Sequence, residues 1–301
     1  MRKSLPKIKI FALTLVCIAF FISFICLYRK KPSVNAENEN TALIIWQIDS
    51  FEGGKGSRAE FLQNLGKDFS KKENCYANVV SLSAEAARMN LSKGNIPDIV
   101  SYGAGMYGIE SYVTDYYVWC RGSYCLLTLE SNCDFSDVNA ENTVINRGKD
   151  NFTDITALFC GIQNARYESS TSAYVKLING EYKYLLGTQR DIFRLRTRNV
   201  AFYIKPITVF NDLYQNISKT VQCRNSVYAQ KYIDYVLSKS SELSKIGMFS
   251  DVARLYEDEM GTCENINYDY KIIYPINEET KANLEKCVSL GDINMLKELL
   301  K

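Results

Sequence analysis

Short apolar runs alternate with helix-like segments in the first half of this chain, and this alternation constrains the fold more than any other feature. Ala42–Ile48 is a continuous apolar run, which is typical of a strand buried on both faces. A capped helix is predicted to begin at Ser57, and a second helix is predicted at 83–93. Strands are also predicted at 77–82 and 98–102. Strands that alternate with helices indicate an α/β fold built around a parallel sheet.

The second half of the chain continues in the same manner. Strands are predicted at 182–186 and 199–204, and a long amphipathic helix is predicted at 227–246. Residues 278–301 have the pattern of two short helices interrupted at Gly291.

The N-terminus has the pattern of an export signal. Ile10–Tyr28 is an apolar run of 19 residues that follows four basic residues, and roughly 20 apolar residues span a bilayer as a helix. Two alternatives remain for residues 1–36: an uncleaved membrane anchor, or a signal peptide that is cleaved after Ala36. Both alternatives predict that the rest of the chain lies outside the cytoplasm, tethered to the membrane or secreted.

The charge is unevenly distributed, and histidine is absent. The chain has a net charge of +2, but residues 1–36 hold seven basic and no acidic residues, so the rest of the chain has a net charge of −5. An acidic body argues against binding to a nucleic acid. The absence of His excludes Ser-His-Asp triads, Cys-His pairs and zinc sites that need imidazole.

Eight cysteines follow the N-terminal segment, and their spacing shows no pair of CxxC motifs. In an exported chain an even number permits disulfides, whereas a domain of this size can also keep free buried thiols. Both alternatives stay open. The eight residues are Cys75, Cys120, Cys125, Cys133, Cys160, Cys223, Cys263 and Cys287.

Three segments are candidates for ligand binding. The loop 49–56 follows the first strand and precedes a capped helix, and open α/β sheets bind ligands at such strand ends, although the loop fits neither the P-loop nor the dinucleotide motif. Residues 116–124 are rich in aromatic side chains that could stack on a sugar or could pack in the core. Residues 187–195 gather polar groups after a strand, which predicts a ligand-facing loop, a salt-bridged hinge or a solvated turn.

Six strings of the sequence, in this order, carry a resemblance to a known family. They are ALIIWQIDSFEGGKGSRAEF (42–61), IPDIVSYGAG (96–105), VWCRGSY (118–124), INGEYKYLLGTQRD (178–191), IKPITVFNDLYQNI (204–217) and AQKYIDYVLSK (229–239). Together they resemble the family 1 extracellular solute-binding proteins of bacterial ABC importers. The segment at 178–191 departs from the family pattern because Tyr182, Lys183 and Tyr184 replace a small residue and Met.

The resemblance implies an α/β fold, a compact two-lobed clamp like that of periplasmic binding proteins, after an N-terminal transmembrane or signal segment. Lobe 1 would comprise residues 37–117 and 205–301, and lobe 2 would be the small inserted segment 118–204. Ligand would bind in the cleft between the lobes and favour their closure.

The implied function is capture of a small polar solute outside the cytoplasm and its delivery to an ABC permease in the membrane. A carbohydrate is the favoured solute, and oligopeptides, polyols and phosphorylated polyols are the other options. The resemblance implies a monomer and no enzyme activity, cofactor or metal. Two alternatives are a carboxylate-dependent extracellular hydrolase, for which no carboxylate pair stands out, and a sensing ectodomain without transport.

The predicted ligand-binding residues combine stacking and hydrogen-bonding side chains. Tyr102, Trp119 and Tyr124 are expected to stack on the solute, and most of the others are expected to donate or accept hydrogen bonds. The full set is Asp49, Ser57, Arg58, Tyr102, Trp119, Arg121, Tyr124, Gln189, Arg190 and Asp191.

Overall fold

The computed structural model describes residues 42–48, 57–148 and 152–301. The predicted membrane anchor or signal peptide at 1–36 and the candidate residue Asp49 lie outside these ranges. The described residues belong to one compact unit. Within that unit, no helix has both the length and the apolar character needed to cross a bilayer.

Two five-stranded sheets organise the chain. In spatial order, the first sheet contains β2 (Tyr76–Leu82), β1 (Ala42–Ile48), β3 (Ile99–Gly103), β11 (Tyr214–Lys219) and β4 (Tyr117–Arg121). Strand β1 pairs in parallel with β2 and β3, whereas β11 runs antiparallel to both of its neighbours.

The second sheet repeats this arrangement. In spatial order it contains β7 (Arg166–Glu168), β6 (Thr143–Asn146), β8 (Tyr184–Thr188), β5 (Tyr124–Thr128) and β9 (Tyr203–Pro206). Strand β6 pairs in parallel with β7 and β8, and β5 is the strand that runs antiparallel to both of its neighbours. A third, two-stranded sheet pairs β10 (Phe210–Asn211) with β12 (Tyr270–Lys271) in parallel.

Helices follow the parallel strands and cover the sheets. They are α1 (Arg58–Glu73), α2 (Ala84–Ser92), α3 (Thr153–Phe159), α4 (Ser170–Ile178), α5 (Gln189–Thr197), α6 (Ser226–Ser238), α7 (Glu259–Glu264), α8 (Glu278–Leu290) and α9 (Ile293–Leu299), with 3-10 segments at Glu110–Tyr112 and Ser240–Ile246. Helix α6 contacts α1, and α7 contacts α5. We call the first sheet with α1, α2 and α6 the first half, and the second sheet with α3, α4, α5 and α7 the second half.

The core of the first half shows why β1 is apolar throughout. Leu43 and Ile45 are fully buried against the side that carries α1, and Trp46 and Ile48 are buried in the cluster that includes residues of α2. Successive side chains of a strand point to opposite faces, so a strand covered on both sides needs apolar residues at nearly every position. The prediction of a strand buried on both faces is confirmed.

The two halves exchange strands through two short crossings. The chain leaves β4 for β5 through Gly122 and Ser123, and it returns from β9 to β11 through β10. The crossings are tied together, because the Gly122 N–H donates to the Leu213 carbonyl (2.6 Å) and Asn211 Nδ2 donates to the Gly122 carbonyl (3.0 Å). A Cβ on Gly122 would lie 2.5 Å from Gln189 Oε1, so a larger residue at this position would displace the Gln189 amide.

This exchange corrects the expectation of a purely parallel sheet. Each sheet contains one reversed strand, β11 in the first and β5 in the second, and each of these follows a crossing from the other half. The predicted lobe boundaries, between 117 and 118 and between 204 and 205, fall inside β4 and β9. The division into lobes at those residues stays a prediction.

Most predicted elements are confirmed, including β2, β3, α2 and the two C-terminal helices, which are separated at Gly291 in a left-handed conformation (φ 65°). The predicted strand at 199–204 begins later, at Tyr203, because Asn199 has a φ of 53° at the turn after α5. Its last residue is Pro206, which an edge strand accommodates because no ladder hydrogen bond from its nitrogen is needed.

Two further predictions were wrong, one in the extent of an element and one in its type. The long helix predicted at 227–246 ends at Ser238 and continues as the 3-10 segment. The polar segment 187–195, predicted as a loop or hinge, is the end of β8 and the first turns of α5. The sequence Thr188–Asp191 forms a capping box there, which allows a helix to start directly after the strand.

Candidate functional site

Helices α1 and α5 begin on opposite halves of the molecule, and both have side-chain caps at their N-termini. Ser57 Oγ accepts the Glu60 N–H (3.1 Å), and Thr188 Oγ1 accepts the Arg190 N–H (3.3 Å). Five of the predicted site residues lie at these two starts: Ser57, Arg58, Gln189, Arg190 and Asp191. Caps of this kind satisfy some of the free N–H groups at a helix start, and the residues that follow are held in fixed positions.

Arg58, at the start of α1, is buried in a polar cluster of the first half. Its guanidinium donates to Gln215 Oε1 on β11 (2.5 Å), and Gln215 Nε2 donates to Ser101 Oγ (3.1 Å) and to the Ile48 carbonyl (3.4 Å). Trp119 Nε1 donates to the same Ser101 Oγ (2.9 Å). The cluster therefore joins the end of β1, the start of α1, β3, β4 and β11.

Asp191, in the first turn of α5, is a carboxylate buried in the second half. Its carboxylate accepts the Thr188 N–H (3.0 Å), Asn146 Nδ2 from β6 (2.9 Å) and Arg194 Nη1 (3.3 Å). The side chain of Asp191 is inaccessible to solvent, and that of Arg194 is 13% exposed. A carboxylate at this position is favoured by the free N–H groups and by the dipole of the helix start.

Gln189 and Arg190 connect α5 to the first crossing and to the 3-10 segment. Gln189 Oε1 accepts the Ser123 N–H (3.0 Å), and its Nε2 contacts Met248 Sδ (3.3 Å). Arg190 is buried, and its guanidinium donates to the Ile246 carbonyl. Both predicted residues therefore hold protein segments together in this structure.

The aromatic residues predicted to stack on a solute are packed in the core. The Trp119 ring stacks on Phe61, with centroids 5.8 Å apart and an interplanar angle of 11°. The Tyr102 hydroxyl is 3.2 Å from Ser218 Oγ, and burial raises the pKa of Tyr102. Tyr124 is fully buried beside Asp212. No ring of these three has a face exposed to solvent, and their stacking role stays a prediction.

Arg121 lies at the edge of the predicted site and contacts the C-terminal segment. Its Nη2 donates to the Glu264 carbonyl (2.7 Å), its Nε lies 3.6 Å from Asp251 Oδ1, and its guanidinium lies over the Phe249 ring. The structure thus brings Arg58 and Trp119 together in one cluster and Gln189, Arg190 and Asp191 in another. Arg121 belongs to neither.

A buried carboxylate beside the second crossing was not predicted. Asp212 accepts the Tyr124 hydroxyl (2.7 Å) and the N–H of Phe152 just before α3 (2.6 Å). Burial raises the pKa of Asp212 to about 6, and its two hydrogen-bond donors only partly oppose this effect. Sequence offers no local signal for it, since its donors come from residues 88 and 60 positions away.

A cavity of about 740 Å³ lies between α1 of the first half and α5 of the second half, and the 3-10 segment Ser240–Ile246 forms its third side. Among the predicted residues, only Arg190 lines it. The lining residues are Glu60, Phe61, Asn64, Leu65, Asp68, Arg190, Phe193, Arg194, Thr197, Arg198, Glu242, Lys245 and Ile246. The amphipathic pattern of α1 was visible in the sequence, but which faces of α1 and α5 meet depends on the strand exchange.

A second cavity of about 350 Å³ also receives residues from both halves. Gly105 follows β3, Arg147 and Phe152 lie between β6 and α3, and α8 contributes Lys281 and Glu285. It is smaller than the first cavity.

Neither a metal site nor a disulfide is found in the described part of the chain. Residues 42–48, 57–148 and 152–301 contain no group of three or more Cys, Asp or Glu that could hold a metal ion. The eight cysteines beyond the N-terminal segment are free thiols, which agrees with one of the two alternatives. Cys125 and Cys263 are buried and their thiols contact each other, and burial raises the pKa of Cys125.

Comparison with known proteins places the fold but no family. No protein-family model and no curated protein matches the sequence. A ferric binding protein from Campylobacter jejuni superimposes with a TM-score of 0.55 at 11% identity, over 85% of this chain and 99% of that protein. A substrate-binding domain assigned to a molybdenum ABC transporter of Clostridium difficile gives a TM-score of 0.49 at 10% identity, over 69% of this chain and 98% of that domain. The likeness to the ferric binding protein, with the topology described above, shows that the chain has the two-lobed α/β fold of periplasmic binding proteins.

Proposed function

We propose that the protein is an extracytoplasmic solute-binding protein, which captures a small polar solute between its two halves and delivers it to an ABC permease. The fold supports this proposal, since the two structures reported above are described as binding proteins. A fold alone hosts many functions, so the proposal depends on the site.

The observation that carries the proposal is the position of the 740 Å³ cavity. Its walls, α1 and α5, belong to different halves, and the crossings at 122–123 and 207–213 join the sheets of these two halves. A solute bound there would contact both halves at once and would stabilise their closed arrangement over an open one. The volume lies within the range of about 300–1,000 Å³ that is usual for small-molecule sites.

The solute is proposed to be polar, and the lining supports that choice. Seven of the lining side chains are charged: Glu60, Asp68, Arg190, Arg194, Arg198, Glu242 and Lys245. The carbohydrate expectation depended on open aromatic faces at Tyr102, Trp119 and Tyr124, and these rings are buried. A sugar therefore stays an option for the solute class without support from these three rings.

Location outside the cytoplasm and delivery to a permease are proposed from the N-terminal sequence and the fold. The apolar run at 10–28 behind a basic flank is typical of an anchor or a signal peptide. Enzyme activity is not part of the proposal, because the Campylobacter jejuni protein of the same fold is described as a binding protein.

A thermal-shift screen tests the proposal on the full-length chain in a mild detergent. Sugars, amino acids, short peptides and polyols are added separately, and the melting temperature is recorded. A solute at about 100 times its Kd stabilises the native state by about 2.7 kcal/mol, which raises the melting temperature by roughly 5–10 °C for a chain of this length.

Two variants locate the binding. Asn64→Trp places a large ring in the cavity and should abolish the shift, whereas Lys67→Trp, exposed on the same helix and outside the cavity, should keep it. A screen in which no solute class shifts the melting temperature contradicts the proposal. So does conversion of the added solute into a hydrolysis product.

A further inference from the structure

The walls of the 740 Å³ cavity carry opposite charges. We propose that this cavity binds a short peptide with free amino and carboxyl ends, an inference that rests on the solute-binding function proposed above. The peptide's ammonium end would face α1, and its carboxylate end would face α5.

The α1 wall is acidic. Glu60, Asn64 and Asp68 are spaced by four residues, so their side chains form one row along the helix. All three are exposed, and no basic residue of α1 lines the cavity. The row can accept hydrogen bonds from an ammonium group and from peptide N–H groups.

The α5 wall is basic. Arg190, Arg194 and Arg198 are also spaced by four residues and form a facing row. Arg194 pairs with the buried Asp191, whereas the exposed Arg198 lies over the Tyr174 ring at 5.0 Å and forms no ion pair with a described carboxylate. Arg198 is therefore the guanidinium best placed to receive a carboxylate from a solute.

The two walls do not neutralise each other. Within the described residues, Asp68 pairs with Lys71 at 3.1 Å and Arg194 with Asp191 at 3.3 Å, and no ion pair joins the α1 wall to the α5 wall. A solute that carries both charges at its two ends satisfies both walls, whereas a solute with one charge is repelled by the wall of the same sign. The third side adds no net charge, since Glu242 pairs with Lys245 at 2.9 Å.

The remaining lining residues favour a peptide with apolar side chains over a free amino acid. Phe61, Leu65, Phe193 and Ile246 supply an apolar surface between the charged rows. Apolar side chains of a peptide would be removed from water there, which contributes binding free energy in proportion to the area covered. A free amino acid would leave much of the 740 Å³ unfilled.

The test measures binding of a defined tripeptide pool, with Leu, Phe or Val in the middle and Ala at both ends, to the full-length chain in mild detergent. The same pool is also prepared with acetylated N-termini or with amidated C-termini. We expect the free pool to bind and each block to weaken binding by about fivefold, because each block removes one charge pair.

Paired variants assign each end to a wall. In the double variant Glu60→Gln/Asp68→Asn, acetylation should not change the affinity, while amidation should still weaken binding about fivefold. In Arg198→Gln, amidation should not change the affinity, while acetylation should still weaken binding about fivefold. Glu141→Gln and Lys286→Gln alter exposed charges outside the cavity and should bind both blocked pools like the wild type.

The outcomes separate this inference from the proposed function. The peptide inference is overturned if neither end block weakens binding of the peptide pool, or if the wall variants leave the effects of the blocks unchanged. Binding of maltotriose in the absence of peptide binding also overturns it, while the solute-binding function stands. If no class of small molecule binds, both the peptide inference and the solute-binding function are contradicted.

Discussion

The two halves of the molecule share a strand order, but the start of α1 buries the cation Arg58, whereas the start of α5 buries the anion Asp191 together with the cation Arg190. The first half buries the cation Arg58 at the start of α1, where a positive charge is opposed by the helix dipole. The second half buries the anion Asp191 in the first turn of α5, where the dipole favours it. The same backbone arrangement thus supports different chemistry at its two helix starts.

The difference also extends to the partners of these charges. Asp191 accepts from one backbone N–H, one amide and one guanidinium, so its charge is neutralised. Arg58 donates to Gln215 Oε1 on β11 at 2.5 Å and has further interactions besides this one. We infer that the anion is integral to the start of α5, whereas the cation links α1 to the reversed strand β11.

The largest effect is expected from Asp191→Ala. Removing this carboxylate takes away the ion-pair partner of the half-buried Arg194 and an acceptor of Asn146 Nδ2 and of the Thr188 N–H, and it deletes the capping box, which should lower the free energy of unfolding by about 3–5 kcal/mol. Urea unfolding followed by circular dichroism measures the change.

The matched control is Asp292→Ala. Asp292 caps α9 through the Met295 N–H at 2.9 Å but is exposed, so its loss should cost only about 1 kcal/mol. Equal losses for the two variants would mean that the buried ion pair adds nothing to the cap.

Another buried carboxylate, Asp212, lies beside the second crossing, and its titration should give the next largest effect. Its pKa is raised from the ordinary value of 3.8 to about 6 by burial, and no described cation pairs with it. The native state therefore binds this proton more tightly than the unfolded chain. The stability that Asp212 contributes in this way is complete below pH 3.8 and is lost as the pH rises through 6. The loss across this window is about 3 kcal/mol at most.

Comparison with Asp212→Asn isolates this contribution from other titrating groups. The wild type minus variant difference in unfolding free energy should fall between pH 4 and pH 7, because Asn does not titrate. A difference that is flat over this range would show that the pKa of Asp212 is not raised in the folded protein.

Local patterns in the sequence were sufficient for the parallel strands β1, β2 and β3 and for the starts of α1 and α2. The apolar run of β1 and the capping residues Ser57 and Ser83 act on neighbouring residues, so they are visible without the fold. The break at Gly291 is equally local.

The reversed strands and the cavity could not be predicted in this way. Strands β5 and β11 reach their sheets through crossings, and their partners are set by contacts between distant segments. For the same reason, Trp119 was taken as a ligand-stacking residue, although it packs on Phe61 from another element. A sequence pattern shows which face of a helix is apolar, but not which helix from the other half will lie opposite.

A smaller loss is expected from Arg58→Met, which tests whether the first half depends on its buried cation. Met keeps apolar volume along the stem but removes the donor to Gln215 Oε1, so the free energy of unfolding should fall by about 1–3 kcal/mol. The measurement is the same urea titration. A loss as large as that of Asp191→Ala would contradict the difference between the halves.

The smallest effects should come from exposed ion pairs, and here the two halves should agree. Lys231 on α6 pairs with Glu73 on α1 at 2.7 Å, and Arg196 on α5 pairs with Asp258 before α7 at 2.6 Å. Their side chains are between 34% and 51% exposed, so each pair should contribute about 0.2–1 kcal/mol in a double-mutant cycle with Ala. The coupling should shrink in 1 M salt, because the Debye length there is about 3 Å. If one pair coupled by more than 2 kcal/mol, the halves would differ in their exposed ion pairs as well as in the buried charges at the starts of α1 and α5. If both pairs couple weakly, the difference between the halves lies in Arg58 and Asp191.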